Sequence, residues 1–496
     1  MTNDTRRPPT GHRPSPANGK PVFLRGKSDF SKTGAPQRPA KPPRREASFV
    51  SQSARRVALD VLLDVSLQDA YASLALSRRL EGPIFLSDRD KRLVTELVYG
   101  TLENRIRLDY MIDCYLERKE LDPVVRDILR MAAYQLFFLD RVPDTAAVDE
   151  AVKLARARAG ESFTGLVNAV LRTMLREKER VVYPKPDEQP ALYLSVMFSL
   201  PVFLAQRFID AYGPKTALAI ARHRDDEHAM TLRPNLERTT PEAFERFLRT
   251  NGISFEKGLL PGVYRVVQPG DMTSRPEYKR GLFSIQSESS LLAASALGAK
   301  PGQSLLDACA APGGKTAVLS EAMHGTGRVY AWDLHEHRVA LIRAMAQRLR
   351  LDNVRAAQRD AAVLKEDFIG VMDGVLLDAP CSGTGVMLQK PDIKYRQTEE
   401  SIRALVATQS ALLETCCKYV RPGGTLVYST CSILLEENML QVRAFLKHHP
   451  EFQMEPLGAC LPEPLRALEQ EGAVQLLAHR DGMDGFFIAK MRRAEG

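Results

Sequence analysis

The sequence predicts an α/β protein: an all-α domain over residues 51–178, a linker and small α+β connector over 179–275, and a doubly wound parallel sheet over 276–493. Three observations carry this expectation. A chain of 496 residues and 55.3 kDa is too long for one ordinary core. Apolar residues recur at helical spacing through 51–178, with no strand pattern. From about residue 280 short apolar runs alternate with helix-length segments, the signature of a parallel sheet that receives ligands at its strands' carboxyl ends.

The first fifty residues form a tail. Of 69 Lys/Arg and 61 Asp/Glu, eleven and three lie here, which leaves 58 of each in the rest of the chain. The whole formal charge of +8 therefore belongs to the tail, not to the folded part. Nine of the 31 prolines sit there too, so the tail is expected to be disordered. Its cations are either a solubilising extension or a phosphate-binding arm with salt-dependent affinity.

In 51–178, Val57, Val61 and Val65 mark one stripe, and Ser87 with Asp90 reads as a helix start. Asp122-Pro123 opens another helix, and Phe163, Leu166, Val167, Val170, Leu171 and Met174 share one face. Three prolines in 179–190 mark a linker. Amphipathic helices around Pro201–Tyr212 and Pro241–Asn251, with the strand-like TLRPN and YRVVQ, fill the connector. The sheet is expected from SLLDAC, RVYAWD, VRAAQ, GVLLDAP, GTLVYST and GFFIAKM.

Composition narrows the function. Hydrophobic residues at 44% and charged residues at 26% suit a globular chain. No run of eighteen apolar residues occurs and the N-terminus is polar, so neither a membrane span nor secretion is expected, and the cytoplasm is. Seven scattered cysteines without a CxxC pair support neither disulfides nor a bound metal, and they are read as thiols.

Chemistry concentrates after the strands. In Leu305–Thr316 a strand ends at Asp307, a Gly-rich loop follows, and a helix begins near Lys315. Its backbone N–H groups suit an anion. A phosphate-binding G-x-x-x-x-G-K-[ST] loop would need glycine where Cys309 stands. Asp333 ends the next strand, where an acid suits a ribose diol, and Asp360 follows the third. Acids at three successive strand ends describe a nucleoside pocket without phosphate, which S-adenosylmethionine matches. Asp378-Ala379-Pro380-Cys381-Ser382-Gly383-Thr384-Gly385 and Tyr428-Ser429-Thr430-Cys431-Ser432 end two further strands. Cys114, Cys416, Cys417 and Cys460 read as buried small hydrophobes. Cys381 and Cys431, in turns at the cofactor edge, are candidates for thiolate chemistry.

DACAAPGGKT, DAPCSGTG and STCS followed by LLEENML resemble the Sun family of RNA cytosine-C5 methyltransferases, over the last 215 residues or so. The helical region, at VPDTAAVDEAV (142–152) and GLVNAVLR (165–172), is similar to the NusB-like RNA-binding module. The resemblance implies a Rossmann-like methyltransferase domain that takes S-adenosylmethionine, a monomer, and cytosine in small subunit (16S) ribosomal RNA as the target. It makes Cys431 the nucleophile and Cys381 the cysteine that assists product release. It lines the cofactor site with Cys309, Ala310, Ala311, Pro312, Gly313, Gly314, Lys315, Asp333, Asp360 and Asp378. Asp378 would also face the flipped cytosine, in its neutral form, and Lys315 is a candidate source of positive charge for the Cys431 thiolate. Arg359 and His335 depart from the family pattern beside Asp360 and Asp333. An amino-group methyltransferase, a transfer RNA substrate and a non-catalytic RNA-binding factor are the alternatives.

Overall fold

The computed structural model describes residues 53–82, 86–224, 229–267 and 270–495; the expected basic tail lies outside the described residues. The chain begins with seven helices: α1 (Ala54–Leu67), α2 (Ala72–Leu80), α3 (Asp88–Glu103), α4 (Arg105–Asp113), α5 (Pro123–Phe138), α6 (Asp144–Arg158) and α7 (Thr164–Arg176). Their starts are chemical. The Ser87 hydroxyl accepts from the Asp90 N–H, and Asp122 accepts from Val124 and Val125 ahead of a helix whose first residue is Pro123. Val57, Val61, Leu97, Ile128, Val167 and Leu171 are buried in one core of their own.

The connector divides in an unexpected way. Helices α8 (Pro190–Phe198) and α9 (Val202–Arg222) pack through Leu204 and Phe208 on Ile402, Ile433 and Leu477 of the C-terminal part. The second is kinked at Gly213-Pro214. Next come β1 (Ala229–Pro234), α10 (Pro241–Thr250), β2 (Phe255–Lys257), β3 (Tyr264–Val267), the single turn α11 (Pro276–Lys279) and β4 (Phe283–Ile285). They make a four-stranded antiparallel sheet in the order β2-β3-β1-β4. Because β4 pairs with β1, this sheet reaches past residue 275, where the sequence pattern suggested its end.

The C-terminal part comprises α12 (Glu288–Ala296), β5 (Ser304–Asp307), α13 (Gly314–Ala322), β6 (Arg328–Asp333), α14 (Glu336–Leu349), β7 (Val354–Gln358), β8 (Met372–Asp378), the single turn α15 (Ile393–Arg396), α16 (Glu399–Cys416), β9 (Val420–Thr430), α17 (Met439–His448), β10 (Phe452–Met454), β11 (Ala473–Leu476) and β12 (Phe486–Arg493). The order is β10-β12-β9-β8-β5-β6-β7, with β11 also on β12. Strands β5 to β9 run parallel, and β12 returns antiparallel against β9. The strand order reverses between β8 and β5, which opens a crevice at their carboxyl ends. All six strand runs expected from the sequence are present. Both faces are covered, so Val375, Leu376, Leu377, Leu426, Val427 and Tyr428 are buried as continuous runs.

Candidate active site

The crevice collects the sequence motifs. The loop after β5 runs beneath the end of β6, where the Ala310 N–H donates to the Trp332 carbonyl. The Arg359 N–H donates to the Asp333 carbonyl and so holds the end of β7 beside β6. Across the reversal, Lys315 Nζ lies 2.8 Å from Asp378 Oδ2, and Ser429 Oγ donates to Asp378 Oδ1 at 2.8 Å. Asp378 and Ser429 are register partners on β8 and β9, so the sheet itself fixes this contact.

The three strand-end acids differ in setting. Asp307 is fully buried; its Oδ2 accepts from Thr316 Oγ1 at 2.6 Å and its Oδ1 has no hydrogen-bond partner. Burial, against the Thr316 hydrogen bond, pushes its carboxyl up to about 7. Asp333, 3% exposed, caps the His335 N–H and lies 3.4 Å from the Arg338 guanidinium, which also donates to the Ala311 carbonyl. Asp360 is exposed and accepts from the Ala362 N–H.

The loop fits a nucleoside bearing an ammonium group. The orphaned Asp307 oxygen seeks a donor. Gly313, at φ +107°, lets the loop pass where a Cβ would strike the Met345 side chain at 2.5 Å. Cys309 turns inward and packs on the cluster around Trp332 and Cys416, and burial pushes its thiol far up. Only its backbone is thus placed to line a cofactor.

Cys381 and Cys431 meet, with 3.3 Å between their sulfurs. The Cys381 thiol hydrogen-bonds to Cys431 and draws the latter below the ordinary thiol range, against burial and Asp378 and with help from Lys315 and Lys390. The same bond, with burial, holds Cys381 well above it. The contact thus favours ionisation at Cys431 over Cys381. Burial pulls the Lys315 ammonium down, but Asp378 more than offsets this and holds it above the lysine range. Asp378 has a donor on each oxygen, one an ammonium.

Glu437 organises the cysteine turns, a role the sequence did not reveal. It is fully buried, and its oxygens accept from the Ser382 N–H (2.8 Å), the Ser382 hydroxyl (2.5 Å), Gln409 Nε2 (3.0 Å) and the Ser432 hydroxyl. Next to it, Asn438 accepts from Thr430 Oγ1 and donates to the Ser432 carbonyl. The acid-amide run LLEENML was the visible signal, but its partners lie up to 55 residues away. Gly385 and Gly485 complete the clamp. The Gly485 N–H donates to the Gly385 carbonyl, and a Cβ on Gly385 would lie 1.9 Å from the Gly485 oxygen.

Among the described residues no group of three or more His, Cys, Asp or Glu side chains is placed to hold a metal ion, and no helix is long and apolar enough to cross a membrane.

Comparison with known proteins agrees with this geometry. Residues 294–492 match the family described as 16S rRNA methyltransferase RsmB/F, and residues 52–176 match the NusB family. The chain is 38% identical over 446 residues to the probable ribosomal RNA small subunit methyltransferase B of Bacillus subtilis (strain 168), covering 89% of this chain and 99% of that one. It is 32% identical over 449 residues to the ribosomal RNA small subunit methyltransferase B of Pasteurella multocida (strain Pm70), covering 89% and 96%. Among solved structures it resembles the crystal structure of PH0851, with a TM-score of 0.75, 26% identity and coverage of 88% and 97%. A methyltransferase homolog protein from Pyrococcus horikoshii gives a TM-score of 0.53 at 29% identity, covering 62% and 100%. The fold and the crevice are those of an S-adenosylmethionine-dependent methyltransferase, and the chain belongs to the ribosomal RNA small subunit methyltransferase B family.

Proposed function

We propose that this protein methylates C5 of a cytosine in small subunit (16S) ribosomal RNA through a covalent bond from Cys431 to C6. The observation that carries this reading is the 3.3 Å contact between the Cys431 and Cys381 sulfurs, which draws Cys431 below the ordinary thiol range and holds Cys381 above it. S-adenosylmethionine supplies the methyl group from its sulfonium. Asp307, Asp333, Asp360 and the backbone of Cys309–Lys315 would hold it.

Cytosine C5 is a weak nucleophile. Addition of the Cys431 sulfur at C6 forms the S–C6 bond and moves the C5=C6 electron pair to C5, which then takes the methyl group. The Asp378 carboxylate accepts from the cytosine amino group, and the Lys315 ammonium neutralises charge that develops on the ring. Afterwards the C5 proton leaves to a base, the double bond re-forms, and the S–C6 pair returns to Cys431. The Cys381 S–H, aimed at that sulfur, stabilises the departing thiolate. One methyl group enters and one proton leaves. The target base must first leave its stack.

The helical bundle at 51–178 serves as the RNA-docking domain, the connector begins at 179 and its sheet takes in β4 at Phe283–Ile285, and the catalytic domain follows to 493. The matches to residues 52–176 and 294–492 support that division. The protein acts as a cytoplasmic monomer. Bisulfite sequencing of ribosomal RNA from a strain lacking it should show one small subunit cytosine losing protection. An unchanged pattern there, with a lost site in transfer RNA, would move the substrate assignment.

A further inference from the structure

Immediately after the Cys381 turn the chain enters the helical bundle. Asp392 Oδ2 accepts from the Ala72 N–H, and Arg396 donates to the Asp69 carbonyl and carboxylate and to the Ala70 carbonyl while covering the Tyr71 ring at 4.4 Å. Lys394 Nζ donates to the Glu103 carbonyl (3.2 Å) and the Phe198 carbonyl (3.3 Å), and Tyr395 Oη donates to the Leu102 carbonyl (2.6 Å). Leu102 and Glu103 end α3 and Phe198 ends α8. The last carbonyls of a helix have no partner inside it, so a donor from elsewhere satisfies them and complements the negative end of the dipole.

The same segment grips the cysteine turn at its other end. Gln397 Nε2 donates to the Ser382 carbonyl at 3.0 Å, beside Cys381. Ile393 packs so close to Gly383 that a Cβ there would lie 3.2 Å from its methyl carbon. Lys394 is an expensive residue for this place. It is 7% exposed and borders a cavity lined by Phe198, Leu200, Ile220 and Ile433 and also by Glu103 and Arg224. Burial, helped by Arg224 and opposed by Glu103, lowers its ammonium to about 7, and its N–H groups meet the two carbonyls. An apolar side chain of equal length would avoid the desolvation cost, so packing alone does not account for a lysine.

We infer that Lys394, with Tyr395 and Gln397, is a positioning residue that ties the ends of α3 and α8 to the Cys381 turn and so sets the Cys381 thiol against the Cys431 sulfur. The bundle then holds the catalytic centre in register as well as docking RNA. The inference rests on the proposed role of Cys381 in product release.

The test compares full-length Lys394→Met, Tyr395→Phe and Cys381→Ala proteins with the unaltered one. Cys431 alkylation by iodoacetamide is followed by peptide mass against pH. Lys315, Lys390, Asp378 and Cys381 all face that sulfur; Cys381 and Lys390 both lie on the stretch that runs into Lys394, and the Cys381→Ala protein isolates the Cys381 share. Loss of the Cys381 hydrogen bond should raise the midpoint and slow the reaction at pH 7. Lys394→Met, and Tyr395→Phe more mildly, should show that shift, with denaturation-resistant RNA–protein adduct accumulating and S-adenosylmethionine affinity unchanged. Normal alkylation and adduct levels in both variants, or activity that falls only with the folded fraction, would overturn the inference. Tyr395→Phe, which removes one hydroxyl, keeps the test decisive should Lys394→Met not fold. If Cys381→Ala itself behaves as the unaltered protein does, the release role has failed and the inference with it. A normal Cys381→Ala defect without any in the other two rejects the inference alone.

Discussion

The sulfur of Cys381 stands 3.3 Å from that of Cys431, close enough for one thiol to serve the other as donor. The contact lowers Cys431 and raises Cys381, which gives the proposed roles of the two distinct tests. Cys431→Ala should form neither methylated product nor adduct. Cys381→Ala should attack and methylate, then stall as a band on denaturing gels with labelled RNA. A stalled band from Cys431→Ala and none from Cys381→Ala would exchange the two assignments. Near-normal turnover in both would make them packing residues.

Glu437→Ala should cost more than either cysteine change in stability. It removes the shared acceptor of two hydroxyls, one N–H and one amide, of which the hydroxyls keep one another and Gln409 keeps the Pro380 carbonyl, a loss of about 1–3 kcal/mol. Glu437→Gln keeps the shape but brings two N–H donors towards hydroxyls that themselves donate. Its turnover should fall about 10- to 100-fold with S-adenosylmethionine affinity intact. Calorimetric binding beside single-turnover rates would check this, and a parallel loss of binding would place Glu437 at the cofactor instead.

Asp333→Ala should weaken S-adenosylmethionine by about 1.5–3 kcal/mol, the worth of a hydrogen bond to a charged acceptor. Arg338→Ala frees the same carboxylate from its ion pair and should leave affinity unchanged or tighter. Isothermal titration of both proteins tests the pair of outcomes. An Asp333→Ala protein that binds normally removes that residue from the site.

Asp307 makes a prediction about pH. Its carboxyl is raised in the fold to about 7, above an unfolded value near 4. The folded state therefore holds a proton that the unfolded chain releases between those values. The stability from the neutral acid is complete below about pH 4 and is lost as pH rises through 7. Asp307→Asn lacks the titration, so its melting temperature relative to the unaltered protein should climb from pH 5 to pH 8. A flat difference would show that Asp307 is ionised throughout.

The sequence made legible what depends on local pattern. Val375–Leu377 and Leu426–Tyr428 read as strands because a sheet covered on both faces needs unbroken apolar runs. DAPCSGTG and STCS stood out because turns rich in small residues leave a thiol accessible. The rest depends on partners distant in sequence. Nothing near Cys309 tells that its thiol faces Trp332, nor near Lys394 that it ends two helices. Nor does anything near Asp378 reveal its two donors, Lys315 and Ser429, which come from other elements.

The contact between Gly385 and Gly485 has a temporal consequence. The Cys381 turn is pinned by a residue that leads into β12, and β12 pairs with the strand carrying Cys431. During synthesis both cysteines leave the ribosome well before residues 485–493 do. A nascent chain that already holds its helical bundle and most of its sheet still lacks the strand that fixes the two sulfurs. The strand that fixes the Cys381 turn beside Cys431 is therefore among the last parts of the domain to be made.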